Sequence, residues 1–362
     1  MKKNLFQRLK CRFFTIVMLT FSCADISVAE EYFDRYGLSP ASPTIKLGVQ
    51  PLGYPSGVIS AVMQRDRILK KTLEDAKQPL KAHAFLRGVD IVNQIATQKL
   101  EAGLLGDMPT ILAASTGNIW VVGLVKQTST AIVAKGDIQV SGLAGKRIAC
   151  VPFSSARHTL FQGLASAGLD DTQVKLISLC IDDMPGALER GDIDAFAAWE
   201  PGPTIAISSS DKNGIVFHGQ STDFFVISRD FEQRQPETAR LLTAGFYRAI
   251  AWMRRSQMNL EHAAHWVLKD GEALSGKSIT MSIAQISAIT RREILNVPSA
   301  PVILENPGVA PLANEYNFLA KLDKLPLGAE RENVLAACRY DGLARVLAEA
   351  KKYQLRTFDY DN

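Results

Sequence analysis

The chain has 362 residues, 47% of them hydrophobic, with 41 Lys and Arg against 37 Asp and Glu and a formal net charge of +4. An excess this small is too weak for a nucleic-acid binder, which needs a concentrated positive field. The excess charge sits at one end: Lys2, Lys3, Arg8, Lys10 and Arg12 precede an apolar run at 13–21, and Ser27-Val28-Ala29 follows. This pattern predicts a secretory signal peptide over 1–29, with a lipoprotein anchored at Cys23 as the alternative. The run is shorter than the roughly 20 residues that span a bilayer. Taking five basic residues and Asp25 from the totals leaves 36 of each sign, a neutral mature protein expected in the periplasm.

From residue 44 strand-like and helix-like segments alternate in two series. Apolar runs at 44–49, 80–85 and 102–106 read as parallel strands, with crossing helices at 57–75 and 89–99 and a loop at 50–56. Strand-like runs at 119–126 and 131–135 flank Gln127, Thr128, Ser129 and Thr130, a polar interruption that predicts a hinge. In the second series, over 146–217, a strand at 148–151 passes through Pro152 and two serines into a helix ending at Gly168. A strand at 193–198 then delivers Trp199 and Glu200 to the same edge. A strand at 224–228 returns to the first lobe, and helices follow at 236–255, 260–268, 283–294, 312–322 and within 330–354. Leu242, Phe246, Ala249 and Met253 mark a core stripe in the first of these. The expected organisation is lobe 1 over 44–127 and 224–325, lobe 2 over 131–222, and a C-terminal helical extension over 326–362.

Open α/β sheets bind ligands beyond the C-terminal ends of their strands. Those ends supply Gln50 and Tyr54, Asp107 and Met108, Thr128 and Ser129 at the hinge, and Ser154, Ser155, Arg157 and His158 at a helix start. Trp199, Glu200 and Asp223 complete the set. Unpaired N–H groups of that helix, with the serine hydroxyls, make a receptor for a small anion. Arg157 opposes the helix dipole there and so calls for an anion nearby. Taken singly, most of these residues read as ordinary helix caps or core. If Asp107, Glu200 and Asp223 all faced one cleft, three carboxylates would favour an amino-bearing ligand. The chain contains no Gly-x-Ser-x-Gly elbow, Cys/His arrangement, HExxH helix or phosphate loop, so no catalytic residue, cofactor or metal is predicted. Cys150, Cys180 and Cys338 lack metal-ligand spacing and are expected as free thiols, a Cys150–Cys180 disulfide being the alternative.

Pro152-Phe153-Ser154-Ser155-Ala156-Arg157-His158, Arg190-Gly191-Asp192-Ile193-Asp194-Ala195 and Trp199-Glu200-Pro201 resemble the taurine and aliphatic-sulfonate branch of the periplasmic solute-binding proteins of ABC importers. Leu105-Gly106-Asp107-Met108-Pro109 and Ser221-Thr222-Asp223-Phe224 extend that resemblance. It implies an α/β, two-lobe type II periplasmic binding protein fold, each lobe a mainly parallel sheet flanked by helices, with extra C-terminal helices. The implied function is a monomeric, non-catalytic receptor that closes on a small anionic or zwitterionic organic ligand and docks on ABC permease subunits in the inner membrane. Ser155 and His158 fall where the taurine proteins have a Ser and a His near the sulfonate, and Asp223 where they have an acid. Arg157 in place of a small hydroxyl residue, Asp107 in place of a serine, and Glu200 depart from that pattern. Other readings of the same resemblance are an exported sensor, or a binder of nitrate or of a thiamine-precursor pyrimidine. An enzyme on this fold would need a reactive Cys or His at the cleft, and the 50–56 loop carries no Cys.

Overall fold

The computed structural model describes residues 38–40, 42–295 and 312–361, without the side chains of 127–129 and 314. The signal peptide expected at 1–29 lies outside the described residues. Contacts divide the chain into Met1–Leu38 and Ser39–Asn362, and the second unit carries the whole sheet.

In chain order the first group is β1 (Ile45–Val49), α1 (Ser56–Met63), α2 (Arg67–Asp75), β2 (Leu80–Ala84), α3 (Gly88–Ala96), β3 (Ala102–Gly106) and α4 (Asp107–Ser115). The long strand β4 (Ile119–Lys135) leads to β5 (Arg147–Cys150), α5 (Ser155–Ser166), β6 (Lys175–Ser178), α6 (Met184–Arg190), β7 (Ala195–Ala198) and α7 (Gly202–Ser209). A second long strand, β8 (Asn213–Ser228), returns to α8 (Arg229–Arg234), α9 (Pro236–Met253), α10 (Gln257–Ser275) and α11 (Ile283–Leu295). Then come α12 (Ala313–Lys321), α13 (Arg331–Ala337) and α14 (Asp341–Ala348).

The strands form one eight-stranded sheet in the order β2-β1-β3-β8-β4-β7-β5-β6. β1 runs parallel to β2 and β3, and β5 parallel to β6 and β7, whereas β4 and β8 are antiparallel to each other. Their ladder extends from Ile119 opposite Ser228 to Lys135 opposite Asn213, so β3 joins one end of the ribbon and β7 the other. The polar stretch expected to interrupt β4 is strand, with Gln127 opposite Thr222 and Thr130 opposite Gly219. Ladder hydrogen bonds satisfy the backbone whatever the side-chain polarity, so a polar run ends no strand that has a partner.

Period-two burial shows how the second half-sheet is covered on both faces. Ile132 and Ala134 join Leu160 of α5 in one apolar cluster, while Val133 joins Met184 of α6 in another. α5 lies very close to the ribbon. A Cβ on Gly163 would stand 2.5 Å from Ile132 Cδ1 and 3.1 Å from the Phe217 ring. In the first half, Leu47, Val58, Leu104, Phe225 and Phe246 share one core, and the Phe225 and Phe246 rings stack at 4.9 Å.

The helix expected at 57–75 is broken into α1 and α2 by Asp66. Its carboxylate accepts from Leu69 N at 3.0 Å as the cap of α2 and from Arg248 Nε of α9 at 2.8 Å. Arg248 Nη1 also donates to Tyr353 O at 2.7 Å, and Tyr360 packs on Trp252 at 4.5 Å. The C-terminal residues therefore clasp α2 and α9. Asp66 and Arg248 are 182 positions apart, so no local pattern announces the break.

Candidate ligand-binding cleft

The turn from β5 into α5 builds one wall. Phe153 adopts the left-handed region at φ 56, and extended Ser154 follows as the helix cap. The Ser154 hydroxyl accepts from Arg157 N at 3.3 Å and donates to Val151 O at 2.7 Å. The backbone N–H groups of Ser155 and Ala156 stand in the first turn, ahead of any intrahelical acceptor. The Ser155 side chain, only 6% exposed, lines the cleft and makes no hydrogen bond among the described residues. This wall offers donors to a guest with a negative charge.

The facing wall comes from the first half. Asp223 on β8 accepts from the Ser56 hydroxyl at 2.5 Å and lies 3.7 Å from the Lys126 ammonium of β4, which is 2% exposed. Its charge is therefore answered inside the protein. Gly106 keeps the walls apart: a Cβ there would sit 3.3 Å from Ser155 Oγ and 3.6 Å from Asp223 Oδ1. Gln50, Arg87, Phe153 and Trp199 also line the cleft, and Tyr54 N donates to Glu200 O at 3.0 Å across the two halves. About 40 Å³ of free space remains between the walls, room for about three waters.

Residues 95–268 match the NMT1-like family. The taurine-binding periplasmic protein of Escherichia coli strain K12 is 32% identical over 170 residues, 43% of this chain and 52% of the relative. Over that stretch the chain is similar to a periplasmic taurine-binding protein. The match spans about half the length of that taurine-binding relative. The crystal structure of the periplasmic aliphatic sulphonate binding protein SsuA from Escherichia coli superposes with a TM-score of 0.61 at 17% identity. It covers 84% of this chain and 100% of that one. The alkanesulfonate-binding protein SsuA from Xanthomonas axonopodis pv. citri bound to MOPS gives 0.62 at 19% identity, over 82% and 98%. The fold is thus the two-lobe binding-protein fold, here with one continuous sheet threaded by the β4–β8 ribbon.

Of the residues expected at the site, Gln50, Ser154, Ser155, Trp199 and Asp223 line this cleft. Others stand elsewhere. Asp107, 1% exposed, accepts from Met108 N at 2.7 Å and from Thr222 N at 3.1 Å, and burial pushes its pKa up to about 7. Glu200 accepts from Arg292 Nη2 at 3.0 Å and from Thr204 N at 3.2 Å. His158 packs on Phe318 of α12 at 4.5 Å, and burial lowers its pKa. The Arg157 guanidinium lies 5.3 Å above the Phe161 ring, and Met108 is fully buried behind it on a separate small chamber. Tyr54 lines a different cavity of about 440 Å³, where burial pushes its pKa up and its hydroxyl has no partner among the described residues. Thr128 and Ser129 have their backbone in β4, and their side chains lie outside the described residues.

The three carboxylates therefore do not meet in one cleft, and the premise for an amino-bearing ligand fails. Asp107 is held by backbone N–H groups, Glu200 by Arg292, and Asp223 by Lys126 and Ser56. Sequence reasoning passed over Ser56, Arg87, Lys126 and Phe153. A lysine at the end of the apolar run Val121-Val122-Gly123-Leu124-Val125 was the available signal for Lys126. Arg87 is itself paired with Asp90, at 2.8 Å. Among the described residues no cluster of His, Cys, Asp or Glu could hold a metal, and Cys150 and Cys180 are free thiols. No helix among them is long and apolar enough to cross a membrane.

Proposed function

We propose that the protein is the periplasmic substrate-binding component of an ABC importer for small organic sulfonates. The observation that carries this reading is the α5 start, with its first-turn N–H groups and the unengaged Ser155 hydroxyl, facing an Asp223 already neutralised by Lys126. Such a wall attracts an anion, and the opposite wall adds no unanswered negative charge to repel it. The names of the sulfonate-binding relatives supply the class of anion.

In this reading 44–127 with 224–325 forms one lobe, 131–222 the other, and the β4–β8 ribbon around Gln127 to Thr130 is where they bend. Closure on the ligand is the state a permease in the inner membrane reads. Gln50, Ser154, Ser155, Trp199 and Asp223 contact the ligand directly. Export by the signal peptide over 1–29 delivers a monomeric, non-enzymatic protein to the periplasm.

Titration calorimetry of the purified protein with taurine, ethanesulfonate, nitrate and a thiamine-precursor pyrimidine tests the proposal. Ethanesulfonate is expected to bind at least as well as taurine, since no carboxylate in the cleft is free for the ammonium. Heat from nitrate or the pyrimidine alone would replace sulfonate by that ligand.

A further inference from the structure

A side chamber adjoins the cleft at Phe153 and Ser154, which line both. Helix α12 builds its far side. It packs against α4, and Phe318 stands against His158 at 4.5 Å and Phe161 at 5.7 Å, so one helix touches elements on both sides of the cleft. The chamber has about 60 Å³ of free space, with apolar walls from Met108, Phe318 and Leu322.

Two cations sit on this apolar lining. Among the described residues Arg157 Nε is buried with no hydrogen-bond partner and its guanidinium lies over the Phe161 ring at 5.3 Å, while Lys324, exposed at the chamber's rim, has no ion pair. The nearest acidic side chain on α12 is Glu315, whose field is felt by Asp107 and His158 and which does not line the chamber. An arginine nitrogen out of water without an acceptor is costly, and a carboxylate is the acceptor whose planar geometry suits a guanidinium.

We infer that the chamber receives a carboxylate at the far end of the ligand, so that the preferred ligand is a sulfonate joined to a carboxylate by a short apolar or aromatic spacer. The inference rests on the sulfonate reading of the cleft. The sulfonate meets the α5 start, the spacer passes Phe153, and the carboxylate meets Arg157 and Lys324. Helix α12 is then part of the site, and Arg157 with Lys324 excludes the ammonium of an aminosulfonate.

Calorimetry on the full protein compares propane-1-sulfonate with 3-sulfopropanoate, and benzenesulfonate with 4-sulfobenzoate. At least one carboxylated ligand should bind about tenfold tighter than its plain partner, as a charge-assisted contact provides. Lys324→Gln should bring that ratio toward one, whereas Lys352→Gln, which removes the same charge beside Glu237 and Glu349, should keep it. Equal affinities within both pairs, or an equal response to the two lysine variants, overturn the carboxylate chamber and leave sulfonate binding standing. No heat from any of the four ligands overturns both.

Discussion

On the β8 side of the cleft Asp223 is met by Ser56 and Lys126, whereas on the α5 side the Ser155 hydroxyl and the N–H groups of Ser155 and Ala156 have no acceptor among the described residues. One wall is internally satisfied and the other is left open. A receptor needs both kinds, because the satisfied wall holds its shape without a guest and the open wall gains hydrogen bonds only when one arrives. Affinity for an anion should then depend on α5, and the integrity of the cleft on β4 and β8.

The strongest way to break this contrast is Lys126→Met, which leaves the Asp223 carboxylate on β8 without its cation, between β3 and β4. Removing one partner of a nearly buried pair costs about 3–5 kcal/mol, and urea unfolding should register it. A loss below about 1 kcal/mol would mean that the pair does not hold the wall.

The next effect is a slope with pH. Burial holds the Asp107 pKa at about 7, far above its ordinary range, so between roughly pH 4 and pH 7 the folded chain keeps a proton that the unfolded chain has released. Stability due to this group therefore falls as pH rises through that window. His83 and His158, whose pKa values burial lowers, act in the opposite sense, so the comparison must be made against a variant. Asp107→Asn should remove the fall when urea midpoints are taken near both ends of the window. An unchanged difference between the two pH values would show that Asp107 titrates normally.

Gly106→Ala sharpens the contrast from the ligand's side, since the added methyl would stand between Ser155 Oγ and Asp223 Oδ1. Sulfonate affinity should fall by about 1–3 kcal/mol with a much smaller change in unfolding free energy. Retained affinity would place the guest elsewhere. The smallest effect is Ser154→Ala, which removes the α5 cap and should cost about 1 kcal/mol of stability. Thermal unfolding with no shift would mean that the turn is held by other contacts.

Much of the α5 wall was legible in the sequence because strand, turn, serine cap and helix start are contiguous and each has a local signature. The β8 wall was not. Ser56 and Asp223 lie 167 positions apart, and Lys126 reads as a defect in an apolar strand until its acid is beside it. The same limit explains the misplaced carboxylates. Asp107 and Glu200 stand in motifs that look like pocket edges, yet a side chain's direction depends on which backbone N–H or arginine packs against it, and Arg292 comes from α11.

Sequence alone determined the alternation of strands and helices, the two series and the anion-attracting start of α5, because short-range propensity and capping act within a few residues. Tertiary structure alone decided that the polar run at 127–130 continues a strand, that Asp66 splits a helix, and which charges are cancelled before a ligand arrives. Those outcomes depend on partners distant in sequence, and whether a buried charge is free or neutralised is a property of the pair rather than of either residue.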